Sequence, residues 1–238
     1  MKLFVAVPSY KGISDDEARA NCGLEALVHM GHSVGIAVIR GHALLDMARA
    51  ELVTAFRQTD ADAILMQDDD VKVEAASIKD MALCGEEVVS APCRMRSADH
   101  LFNVTPIEDP TDRNGVTLAR TLWTGLGCVL VRRKTIEALC EYYSSLHYRS
   151  EVVPGKRSVA LFNALLVPCG HLEDGASMLE RDFCGDDRAF SIRLREMHVP
   201  IWASINARTN HRGLEGCLGE EARKRQPTGL VDPNGRAL

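Results

Sequence analysis

The stretch AILMQDDDVKVEAASIKDMALC, residues 63–84, decides the fold. AILMQ is a short apolar run that ends on charge, the pattern of a strand buried on both faces. VEAASIKDMALC then reads as a helix, and EEVVSAP as the strand after it. The strand therefore stops on three consecutive carboxylates, Asp68, Asp69 and Asp70. At about 4 Å and an effective dielectric near 20, each adjacent pair costs on the order of a few kcal/mol. A cation, a basic cluster or exposure to water must offset that cost. In extended chain Asp68 and Asp70 point to one side and Asp69 to the other. Two carboxylates on one side can hold Mg2+ or Mn2+, which take one or two protein carboxylates and fill their remaining positions with water and phosphate oxygens. The competing reading is a solvated acidic turn or a helix N-cap.

Working outward, KLFVAV (2–7) reads as a buried strand broken by PSYKG. SDDEARANCGLEALVHMG follows as a helix, with Ser14 and Glu17 at capping-box spacing and Gly31 at its end. SVGIAVI (33–39) is a second strand. In HALLDMARAELVTAF the apolar residues Leu45, Ala48, Leu52 and Phe56 recur at helical spacing, which leaves Asp46, Arg49 and Arg57 off that stripe. Alternating strands and helices over ninety residues predict an α/β fold, a Rossmann-like doubly wound and mostly parallel sheet. LFNVTPI, VTLART and LGCVLVRR lack long helices between them and predict antiparallel strands added at one sheet edge. KTIEALCEYYSSL and DDRAFSIRLREM read as helices, VPIWAS as a strand, and 149–158 and 168–180 as polar loops. The expected organisation is one domain over 1–213, with halves 1–92 and 93–213, and a partly flexible tail at 214–238.

The chain has 238 residues, 46% hydrophobic and 26% charged, with a net charge of −5 and a pI near 5.9. That balance supplies no global basic field for nucleic acid or an anionic membrane, although 181–225 is locally basic. Eight cysteines without a CxxC pair argue for reduced thiols and a cytoplasmic setting. MKLFVAVPSYKG is too soon interrupted for a signal peptide, and no run of 18 apolar residues suggests an integral membrane segment.

The ordered set of a strand followed by PSYKG, DMARAELVTAF, TDADAILMQDDDV, WTGLGCVLVRR, GDDRAFSIRLREMHVPIWAS and NARTNHRG resembles glycosyltransferases of the GT-A fold, family 2-like, from about residue 3 to 213. The resemblance implies a metal-dependent transfer of sugar from a nucleotide-diphosphate sugar, UDP- or GDP-type, to a hydroxyl acceptor. By the same resemblance Pro8, Ser9, Tyr10, Arg49, Asp68, Asp69 and Asp70 form the nucleotide-sugar site. Asp70, Asp68 and His211 would hold Mn2+ or Mg2+, a histidine favouring the transition ion. Asp187 or Asp186 would be the general base, and Trp123 and Gly125 would shape the acceptor pocket. Two departures from the family pattern are an Asp–Asp pair instead of Glu–Asp and His198 where glycine is usual.

Each role has a plainer competitor. Tyr10 can be a loop aromatic, Arg49 a surface partner of Asp46, Asp186 and Asp187 helix caps favoured by the dipole, and Trp123 a core residue. Arg188, Arg193 and Arg195 can steady phosphates, but at least two of them are expected to be merely solvated. Two other functional classes compete. One is nucleotidyl or phosphoryl transfer, although neither G-x-x-x-x-G-K-[ST] nor G-x-G-x-x-G is present. The other is a non-catalytic nucleotide-binding module. Modified DNA is a conceivable acceptor that the net charge does not favour.

Overall fold

A computed structural model describes residues 1–95, 102–169, 177–211 and 214–219. In chain order the first half contains β1 (Lys2–Ser9), α1 (Asp15–Asn21), α2 (Leu24–His29), β2 (Ser33–Arg40), α3 (Leu45–Arg57), β3 (Ala63–Gln67), β4 (Val71–Val73), α4 (Ala75–Leu83) and β5 (Val88–Ser90). The second half adds β6 (Val104–Pro106), β7 (Thr111–Arg113), β8 (Val116–Thr124), β9 (Cys128–Arg132), α5 (Arg133–Tyr142), β10 (His147–Arg149), β11 (Arg157–Val159), β12 (Leu165–Cys169), β13 (Ser177–Cys184), α6 (Asp186–Glu196), β14 (Ile201–Ser204), β15 (Thr209–His211) and β16 (Leu214–Gly216).

The central sheet runs β2-β1-β3-β9-β5-β14-β8-β6, with β7 also paired to β8. β2, β1 and β3 are parallel, as are β5 and β14, while β9 and β8 run against their neighbours. This is the expected α/β, mostly parallel, doubly wound sheet. The side chains of β1 alternate between two cores. Leu3, Val5 and Val7 pack in the core that also contains Leu27, Ile78 and Met81, while Phe4 and Ala6 pack in the one containing Phe56, Ile136 and Phe190. α1, α2 and α4 thus cover one face, and α3, α5 and α6 the other. Both faces are dry, which is why β1 and β3 read as unbroken apolar runs.

Three elements differ from expectation. The predicted first helix is two, α1 and α2, because Gly23 adopts φ +58, a left-handed conformation that interrupts the helical path. Ser14 does cap α1, its Oγ accepting from the Glu17 N–H at 3.1 Å. β9 lies between β3 and β5 and not at the edge. Val129, Leu130 and Val131 are fully buried, and a strand apolar on both faces can be solvated on neither. The predicted loops contain paired strands, β10 with β11 and β12 with β13. Residues 170–176 of the second loop, Arg212 and most of the predicted tail, 220–238, lie outside the described residues.

β9 and β14, from the second half of the chain, are interleaved with strands of the first in one sheet. No described helix is long and apolar enough to cross a membrane. Among the described residues, Cys22, Cys84, Cys93, Cys128, Cys140, Cys184 and Cys217 are free and buried.

Candidate active site

The carboxyl ends of β1 and β3 lie side by side, because the two strands pair in parallel from Leu3↔Ala63 to Ala6↔Met66. In an open α/β sheet this is the edge where ligands bind. The triplet does not continue the strand. Asp68 N–H donates to Gly127 C=O at 3.0 Å, and Val71 N–H to Asp68 C=O at 3.2 Å, closing a turn. The turn removes the period-two alternation, so Asp68 and Asp70 do not share a side as extended chain would require. Each carboxylate meets a different partner.

Asp68 Oδ1 accepts from Arg49 Nη2 at 2.6 Å, and Arg49 Nη1 pairs with Asp186 Oδ2. The Arg49 side chain is only 4% exposed, against 31% and 30% for the two acids. Its Nε is buried with no hydrogen-bond partner. Arg49 is therefore no surface partner of Asp46, whose Oδ1 instead accepts from the Met47 N–H. Asp69 Oδ2 accepts from Ser9 Oγ at 2.6 Å, and that hydroxyl also accepts the N–H groups of Gly12 and Ile13 at 3.0 and 3.1 Å. Ser9 thus folds the PSYKG turn and locks it to the triplet. Pro8 is buried in β1 opposite Ile39, while Tyr10 stands 71% exposed at the tip of the turn.

Asp70 faces His211. β15 pairs antiparallel with β4, setting His211 opposite Val71, and His211 Nε2 lies 3.5 Å from Asp70 Oδ2. The other ring nitrogen, Nδ1, sits 2.7 Å from the Arg94 carbonyl. A carbonyl only accepts, so Nδ1 carries the proton. Nε2 then faces the Asp70 carboxylate, an arrangement that can hold a cation between the two. Among the described residues no group of three or more His, Cys, Asp or Glu is placed to hold a metal ion. Asp70 and His211 still fit Mg2+ or Mn2+, which commonly bind through one or two protein donors. Asp68 does not join them.

Beside this pair opens a cleft of about 410 Å³ lined by Lys11, Asn21, Asp69, Asp70, Lys72 and Asn210, with Ile13 and Glu17 at its wall. The sequence reading missed Lys11, Lys72, Asn21 and Asn210. DVKV held a signal for Lys72, because alternation buries Val71 and Val73 and turns the lysine outward.

Gly185 precedes α6, whose first turn carries Asp186 and Asp187. With Asp186 engaged by Arg49, Asp187 Oδ1 accepts, among the described residues, a local bond from the Arg188 N–H at 2.9 Å. Ser191 Oγ donates to Asp187 C=O at 2.9 Å and receives the Thr124 N–H at 3.2 Å, tying α6 to the end of β8. Trp123 is half-buried beneath the Arg188 guanidinium, 5.0 Å from its ring centre. At Gly125 a Cβ would lie 2.2 Å from Asn103 Nδ2, so glycine there makes room for Asn103. Arg193 is buried and donates to Leu161 C=O at 2.9 Å and to Asn163 Oδ1 at 2.5 Å. It is a core fastener, neither solvated nor near the triplet.

A scan against protein-family models finds no match, and a search of curated proteins finds none. Among solved structures the chain is similar to A197 from STIV, at 14% identity and TM-score 0.49, over 88% of this chain and 84% of that one. It is also similar to 4-diphosphocytidyl-2C-methyl-D-erythritol synthase from Anaerococcus prevotii, at 14% identity and TM-score 0.32, over 65% and 80%. HddC from Yersinia pseudotuberculosis, solved with GMP-PN, matches at 9% identity and TM-score 0.29, over 56% and 78%.

Proposed function

We propose that the chain is a divalent-cation-dependent glycosyltransferase that moves a sugar from a UDP- or GDP-type donor to a hydroxyl acceptor. The observation that carries this reading is the Asp70–His211 pair, 3.5 Å apart past the carboxyl end of β3, with Asp70 lining a cleft that also offers two lysines. Asp70 and His211 would hold Mn2+ or Mg2+. Once bound, the ion would supply charge neutralisation to a diphosphate departing from a neutral sugar, which is Lewis-acid work. Lys11 and Lys72 add positive charge along the same cleft, and Tyr10 offers an exposed ring to a base. An aspartate at the start of α6 takes the acceptor hydroxyl's proton as the sugar–phosphate bond breaks and the new glycosidic bond forms. Trp123, under the Arg188 guanidinium, supplies an aromatic ring near the start of α6, suited to a sugar ring.

Nucleotidyl transfer is the second reading, and the same two lysines favour it, because a triphosphate brings more charge to neutralise than a diphosphate ester. Products separate the two. Release of nucleoside diphosphate from a nucleotide sugar supports glycosyl transfer, whereas release of pyrophosphate from a nucleoside triphosphate contradicts it. A panel of nucleotide sugars and triphosphates, each with and without Mn2+, scored first by thermal shift and then by product, makes the test. A ligand that stabilises the protein with metal but is never turned over would indicate a binding module.

A further inference from the structure

Arg49 lies on α3, on the sheet face opposite the cleft, and its guanidinium is the only described group that bonds both the strand-end triplet and the first turn of α6. Its fork is divided, Nη2 to Asp68 and Nη1 to Asp186. A planar guanidinium can satisfy two carboxylates from two elements at once, and a lysine ammonium cannot reproduce that geometry. The buried, unpartnered Nε shows that the side chain is not placed to satisfy all its own donors. Its position satisfies the two acids instead.

We propose that Arg49 is a positioning residue that couples donor binding at β3 to the acceptor-side acids of α6, a role that rests on the transferase reading above. Asp68 is one residue from Asp69 and two from Asp70, the acids that line the cleft. Asp186 is adjacent to Asp187, whose carboxylate Arg49 does not hold. Any ligand that shifts the triplet's turn pulls on Arg49, and through Asp186 on the helix start that presents Asp187. The device also assigns the acids distinct roles: Asp186 is the anchor, which leaves Asp187 to face the acceptor.

Hydrogen exchange on the full chain tests the coupling without turnover. Arg49→Lys keeps the charge and loses the fork. Arg49→Met paired with Asp186→Asn leaves the net charge of the cluster unchanged and serves if the lysine variant fails to fold. Amides 187–190 of either variant should exchange at least about tenfold faster than in the wild type. Adding Mn2+ with UDP should alter exchange at 68–71 in both proteins, but at 187–190 in the wild type alone. Unchanged exchange at 187–190 in the variants, or a ligand response that still reaches α6 without Arg49, overturns the coupling. Absence of any response at 68–71 contradicts the donor-site reading and leaves the ligand-free comparison to judge Arg49. With a donor in hand, Arg49→Lys should lower kcat about 100-fold while KM for the donor stays within about threefold. A merely structural role would not produce that split.

Discussion

Ser9 shows how much one side chain can hold. Its hydroxyl donates to Asp69 and accepts the Gly12 and Ile13 N–H groups, so Ser9→Ala leaves three polar groups without their partner. Unmet buried groups cost roughly 1–3 kcal/mol each, and less for the exposed Gly12 N–H. We expect Ser9→Ala to lose about 2 kcal/mol in denaturant unfolding and to weaken nucleotide binding through a looser Lys11. Asp70→Asn keeps the shape but weakens the site as a metal ligand, and should lower Mn2+-dependent nucleotide affinity at least about tenfold by calorimetry with an unchanged melting temperature. Equal affinity with and without the carboxylate would remove the metal from Asp70. At this scale the sequence was legible where chemistry is local. Consecutive acids after an apolar run marked the rim of the cleft, and Ser14 marked the cap of α1. Arg49 was placed off the apolar stripe of α3, yet its two partners are 19 and 137 residues away in the chain, and spacing alone cannot name them.

Whole elements were legible where hydrophobic periodicity was clean. AILMQ is β3 residue for residue, and α3 and α6 fall where their apolar stripes put them. The errors have physical sources. A left-handed Gly23 split a helix, and β9 carried no mark of its central position beyond its unbroken apolarity. β10 (HYR), β11 (RSV) and most of β13 (SMLERDFC) were hidden in polar sequence because a two-stranded ribbon needs few apolar residues. The β8–β9 connection makes its own prediction. Gly125→Ala would drive a methyl into Asn103, whose Oδ1 accepts the Cys93 N–H at 2.8 Å, and should destabilise by about 1–3 kcal/mol in denaturant unfolding. Where α2 gives way to β2, burial holds the His32 imidazole below its usual pKa, and its Nδ1 has no partner. The folded state therefore disfavours the proton that the unfolded chain accepts. Stability from this residue is complete above about pH 6.5 and declines as the pH falls below it. The wild-type melting temperature should drop more steeply between pH 7 and pH 5 than that of His32→Leu.

Across the whole molecule, the sheet brings the carboxyl ends of β1 and β3 side by side and the short β16-β15-β4 sheet delivers His211 beside them. The fold class could be read from the sequence because alternating buried strands and helices permit few arrangements. The cleft could not, because it is built from the ends of β1, α1, β4 and β15, whose meeting is a property of the completed fold. The account centres on a cation held between Asp70 and His211 while a nucleoside diphosphate occupies that cleft. Crystals soaked with Mn2+ and UDP test this most directly, because manganese is located by its anomalous scattering. The account predicts a peak at coordination distance from both Asp70 Oδ2 and His211 Nε2, with the diphosphate completing the shell and Lys11 or Lys72 alongside. A peak elsewhere, with Asp70 and His211 still facing each other and the nucleotide bound outside the cleft, would contradict it.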